Sequence, residues 1–153
     1  NYRALLWTPE AAREAIEEIL EHTGAVIAAH RDLRTLFGAP EDPEAAAREF
    51  AEAHGVPLVV LTLGDQGSLA FDGNLLRQPA FPSEPLDRIG AGDAFAAGFL
   101  HGWLAGDLAR GLVLGNASAA LKQTYRGDTT WATREDVLEL VESGAADSRQ
   151  VRR

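Results

Sequence analysis

A chain of 153 residues with 46% hydrophobic and 24% charged residues is long enough to bury a core and has an ordinary globular composition. Its formal net charge of −9 argues against a general nucleic-acid binder, because affinity for a phosphate backbone comes mainly from Lys and Arg. There is no Cys, which excludes disulfides and thiolate metal sites and fits a cytoplasmic setting; no apolar run reaches the roughly 20 residues of a spanning helix, so no membrane partner is expected. The chain begins at Asn1 and contains no Met, which leaves open a true amino terminus upstream.

Thr8-Pro9-Glu10 opens a first helix with a capping hydroxyl, Pro at the first helical position and an early acid. Ile16, Ile19 and Leu20 recur on one face of it, and it should end near Thr23-Gly24. Ala25–Ala29 is a short apolar run of the kind buried on both faces of a parallel sheet. A short helix through Leu33, Leu36 and Phe37 stops at Gly38, and Asp42-Pro43-Glu44 starts another that ends at His54-Gly55. Leu58–Leu61 then makes a second buried strand. Pro9-Glu10-Ala11-Ala12 and Pro43-Glu44-Ala45-Ala46 lie 34 residues apart, a period that would suit helical hairpins, but the strands between them favour successive helix and strand units.

Ser68–Phe71 and Leu75–Gln78 flank Asp72-Gly73-Asn74 as a β-hairpin, and Pro79, Pro82 and Pro85 mark an extended connection. A buried helix follows from Ala91. Its Gly98, Gly102 and Gly106 read as close helix packing rather than a membrane motif, since His101 interrupts them and Asp107 follows. Gly106-Asp107 is a break before a long helix over Leu108–Thr124, where Gly111, Gly115, Ala119 and Ala120 leave room for close approach. Thr133-Arg134-Glu135-Asp136 caps a last helix carrying Val137, Leu138, Leu140 and Val141. The chain therefore reads as a domain over 1–144 and a polar tail over 145–153 that should fray.

Chemistry concentrates in Asp87-Arg88-Ile89-Gly90-Ala91-Gly92-Asp93, where a loop turns into a helix. Unpaired N–H groups and the positive end of the helix dipole would face outward from Gly90 to Gly92, and glycine lets an anion's oxygens approach them closely. Asp93 sets a second anion beside that site, which is repulsive unless it acts on a group between them, such as a substrate hydroxyl. The competing account is a tight glycine turn against a sheet, with Asp93 as a helix cap.

The same stretch resembles the signature of the ribokinase-like (PfkB) carbohydrate kinases, in which an Asp, two variable residues and Gly-Ala-Gly-Asp precede an apolar helix. Thr62-Leu63-Gly64-Asp65-Gln66-Gly67 is similar to the family's nucleotide-contacting turn, and Asn116 to Lys122 with Gly127-Asp128 fall where the family continues. Asn1-Tyr2-Arg3-Ala4-Leu5-Leu6-Trp7 looks like an element of the 2-keto-3-deoxygluconate kinase branch. The resemblance covers all but the tail. It implies the C-terminal half of a ribokinase-like three-layer α/β sandwich, with parallel strands, a β-hairpin and flanking helices, lacking the half that bears the lid and most sugar contacts.

By that resemblance Asp93 is the catalytic base and Gly90, Ala91 and Gly92 the anion hole for the γ-phosphoryl group of ATP. Asp87 is structural, or lies behind the ligands of Mg²⁺. Thr62, Gly64, Asp65, Gly67 and Asn116 would contact nucleotide; many family members carry Lys where Thr62 stands, and Asn116 is equally able to bridge helices. Arg3 would pair with the carboxylate of a sugar acid, and Asp128 would reach the substrate unless it only forms a turn. Asp32 falls near the family's Asn-x-x-Glu element, but the aligned Ala29-His30-Arg31-Asp32 lacks the Asn and has a shorter acid, so metal ligands stay unassigned although Mg²⁺ is implied. The expected activity is ATP-dependent phosphorylation of a sugar or sugar acid, 2-keto-3-deoxygluconate foremost, with self-association or pairing with the absent half. The alternative is a noncatalytic nucleotide-binding module.

Overall fold

The computed structural model describes residues 2–144; the expected tail at 145–153 lies outside them. Six helices and four strands follow in the order α1 (Pro9–Leu20), β1 (Ala25–Ala29), α2 (His30–Phe37), α3 (Pro43–His54), β2 (Leu58–Thr62), β3 (Ser68–Phe71), β4 (Leu75–Gln78), α4 (Ala91–Trp103), α5 (Leu108–Lys122) and α6 (Arg134–Ser143). A 3₁₀ turn over Gly64–Gln66 separates β2 from β3. Residues 1–63 with 69–76 form one compact unit, and residues 64–68 with 77 onward form another.

In the first unit the helix ends follow their capping residues. Thr8 Oγ1 accepts from the Ala11 amide at 3.3 Å, and the Asp42 carboxylate accepts from Glu44 and Ala45 at 3.3 and 3.2 Å, so both helices start at the prolines that follow. The sheet order is β1-β2-β3-β4. β1 and β2 run parallel, with Ala25 opposite Leu58 and Ala29 opposite Thr62; a parallel pair needs a crossover, which α2 and α3 supply. Leu20, Leu33, Phe50, Val59, Leu61 and Leu69 form the buried core.

Three expectations depart from the structure here. Ile19 is 64% exposed, because the packed stripe of α1 runs through Ala12, Ile16 and Leu20 at four-residue spacing, and the helix stops at Leu20, short of Thr23-Gly24. β1 is half-buried along its whole length rather than covered on both faces, because it is the edge strand and β2 takes the central place.

In the second unit α4 and α5 touch backbone to backbone. A Cβ added to Gly98 would sit 2.5 Å from both the Leu114 carbonyl oxygen and Ser118 Oγ, and one on Gly102 would sit 2.6 Å from the Gly111 amide. Gly106 does not join this contact; at φ +89° it turns the chain after α4. α5 ends at Lys122, two residues before the expected Thr124, since Thr124 Oγ1 folds back onto the Leu121 carbonyl at 2.8 Å. Thr133 and Asp136 form a reciprocal capping box on α6, whose Leu140 packs with Ala117, Ala120 and Leu121. No helix among the described residues is long and apolar enough to cross a membrane.

Gly98→Ala should lower unfolding free energy by about 1–3 kcal/mol, the usual range for forcing atoms into a packed contact. Denaturant titration checks this, and an unchanged midpoint would contradict the close contact.

Candidate active site

All parts of the Asp87–Asp93 motif lie in the second unit. Residues 79–90 carry no helix or strand, as a segment with three prolines should not, and the chain enters α4 through Gly90 at φ +79°. Ala94 donates to the Gly90 carbonyl at 3.0 Å and Ala91 to the Arg88 carbonyl at 3.2 Å. Among the described residues no acceptor meets the Gly92 or Asp93 amide, and both residues are exposed. Two N–H groups are therefore presented to solvent at the positive end of a 13-residue helix. Asp93 does not cap that helix. The cap is Gly90, no side-chain cap bond is made, and the exposed carboxylate accepts no hydrogen bond among the described residues.

The loop is held from behind. Asp87 Oδ1 accepts from the Ile89 amide and Oδ2 from the Gly127 amide, each at 3.0 Å. The Leu86 and Asp87 amides both donate to the Gln123 carbonyl, at 2.7 and 3.1 Å. Gly90 packs on the backbone of Asp128 so closely that an added Cβ would overlap the Asp128 carbonyl oxygen. The Asp128 side chain is exposed, and its Oδ1 accepts from Thr129 Oγ1 at 3.4 Å. The bond from Ile89, then that from Gly127, holds the Asp87 carboxyl below its ordinary value; partial burial opposes this, and Lys122 and Arg126 add smaller attractions. The Gln123 carbonyl, on which this loop hangs, gave no sign in the sequence, since any residue type supplies one.

The strand-end turn is tight for a similar reason. The Gly67 amide closes onto the Gly64 carbonyl at 3.2 Å, and a Cβ on Gly67 would overlap the Gln78 carbonyl oxygen. Asn116 is buried and its amide nitrogen donates to the Gln78 and Pro79 carbonyls at 3.1 and 3.3 Å. Asp65 is exposed within the turn. Thr62, the last residue of β2, and Arg3 belong to the first unit. Arg3 is exposed, and its carbonyl accepts from the Leu6 amide at 2.9 Å.

Asp32 Oδ2 accepts from the Tyr2 amide at 3.4 Å, and Oδ1 lies 3.5 Å from Arg31 Nε. No group of three or more His, Cys, Asp or Glu side chains is placed to hold a metal among the described residues, so these side chains do not fit a protein-made Mg²⁺ cage. A cavity of about 210 Å³, absent from the sequence reading, opens beside α4 one turn beyond Asp93, lined by Ala94, Ala97, Gly98, His101, Ser118 and Val137 among others.

The family profile described as pfkB family carbohydrate kinase matches residues 1–134. The chain belongs to that family. It is 37% identical over 148 residues to a 2-dehydro-3-deoxygalactonokinase of Haloferax volcanii, a match covering 95% of this chain and 46% of that protein. A crystal structure of 2-dehydro-3-deoxygluconokinase from Thermotoga maritima superposes with TM-score 0.77 at 28% identity, over 93% of this chain and 48% of the other. Aminoimidazole riboside kinase from Salmonella enterica, solved with aminoimidazole riboside and an ATP analogue, superposes with TM-score 0.80 at 23% identity over 92% and 50%, a likeness of fold. The ribokinase-like α/β fold expected from the motif is thus the fold of this pfkB chain, which spans about half the length of the relatives it matches.

Because its carboxyl is depressed when folded, Asp87 contributes stability that is present above the ordinary value of 3.8 and is lost as pH falls through the lowered one. In a carbon-detected NMR titration the Asp87 carboxyl should show its midpoint below 3.8. A midpoint at or above that value would mean the two amide bonds do not form.

Proposed function

We propose that this chain carries the phosphoryl-transfer centre of an ATP-dependent kinase for a sugar or sugar acid, with 2-keto-3-deoxygluconate as the leading substrate. One observation carries the reading: in a chain of the pfkB family, the free amides of Gly92 and Asp93 and the unpartnered carboxylate of Asp93 stand on the same helix end. Charge on a transferring phosphoryl group would be held by those amides, with Gly90 and Ala91 shaping the loop around it. The Asp93 carboxylate would take the proton of the substrate hydroxyl as its oxygen bonds to the γ-phosphorus and the bond to ADP breaks.

The names of the relatives support the substrate class, since two of them are kinases of 2-dehydro-3-deoxy sugar acids. Arg3 is the residue we assign to the acid's carboxylate and Asp128 to a substrate hydroxyl. Thr62, Gly64, Asp65 and Gly67 would face nucleotide. Asn116, with its donors on the Gln78 and Pro79 carbonyls, would shape that site through the backbone beside Gly67. Magnesium would enter with the nucleotide's phosphates and water, and no step is assigned to it. The lid and the remaining sugar contacts would come from the part of the relatives' length that this chain does not span, in the cytoplasm.

Asp93→Asn should lower kcat for ATP-dependent phosphorylation about 10²–10⁴-fold, the usual worth of a positioned general base. Binding of a non-hydrolysable ATP analogue should persist. Activity that survives the substitution contradicts the assigned base. Analogue binding without turnover in the unsubstituted protein, joined to its complementary half, favours the noncatalytic module.

A further inference from the structure

Lys122 is fully buried at the end of α5, where a lysine without a partner charge is costly. No carboxylate forms an ion pair with it among the described residues. Its Nζ donates to the Tyr125 carbonyl at 3.4 Å and lies 5.1 Å from the centre of the Tyr125 ring, a cation on an aromatic face. Tyr125 in turn organises the loop that follows α5. Its hydroxyl oxygen accepts from the Trp131 and Ala132 amides at 2.7 and 3.3 Å and is hydrogen-bonded to Thr130 Oγ1 at 2.5 Å. Within that loop lie the Gly127 amide, bonded to Asp87, and the Asp128 carbonyl, packed on Gly90.

We propose that Lys122 is a positioning residue for the anion hole: its buried ammonium fixes Tyr125, so that the loop carrying Gly127 and Asp128 stays seated behind Gly90. The ammonium is fully buried, so it acts through these neighbours. A filler of the same volume would pack α5 equally well, but only a cation serves a carbonyl and a ring face together. This role rests on the kinase reading for its effect on rate, but not for its effect on the loop.

The test uses Lys122→Met, which keeps the length and loses the charge, and Lys122→Gln, which keeps a donor. Hydrogen exchange is measured at the bonded amides of Ile89, Gly127 and Trp131 and, as a core reference, at Phe99 and Leu112. Both variants should exchange at least about tenfold faster at the three loop amides than the unsubstituted chain, with the core amides unchanged. In the full protein, kcat should fall about tenfold to a hundredfold, as for a small misplacement of a site, with KM for the sugar nearly constant. The loss should be smaller when added to Asp87→Asn than when made alone. Loop exchange that is unchanged, or that rises equally in the core, overturns the proposal, as does full additivity with Asp87→Asn. Faster loop exchange in a protein with no kinase activity to lose would sink the kinase reading and leave the brace standing.

Discussion

The candidate site depends on the seating of the Asp128 backbone against Gly90. Gly90 has a positive φ and no room for a side-chain carbon, and both conditions demand glycine at that position. Once it is seated, α4 starts at Ala91 and leaves the Gly92 and Asp93 amides facing solvent. Asp87 secures the seat from one side through Ile89 and Gly127, and the Gln123 carbonyl secures it through Leu86 and Asp87. Two segments far apart in sequence, residues 86–90 and 123–128, meet around one glycine.

On the proposed reading, this arrangement would let a chain of net charge −9 receive an anion. The positive field comes from backbone amides and a helix dipole, which a charge count does not register. The carboxylates are segregated by their bonds. Asp87 is committed to two amides behind the loop, whereas Asp93 keeps its lone pairs free at the mouth. Two acids six residues apart thus differ, one bonded within the loop and the other without a partner among the described residues.

Much of the fold was legible because its signals are local. Thr8, Asp42 and Thr133 cap the helices they were read to cap, and the hairpin has the bounds set by its turn residues. Expectations failed where strand order or long-range packing decides. The apolar run of β1 could not reveal that it is an edge strand, and Ile19 and Leu20 are neighbours of which only one lies on the packed stripe. In the site, Asp93 and the glycines were readable as types at a spacing. The carbonyls of Gln123 and Asp128 were not, because backbone groups leave no trace in composition. In the sequence Lys122 is only part of the stretch from Asn116 that resembles the family, and its burial emerges only when α5 is packed.

The most direct test of the account is an amide NMR titration of the protein with a non-hydrolysable ATP analogue. The account predicts that the Gly92 and Asp93 amide resonances move downfield together as the terminal phosphate takes their unpaired N–H groups, with smaller movement along the rest of α4. Saturable binding that leaves both resonances where they were would contradict it.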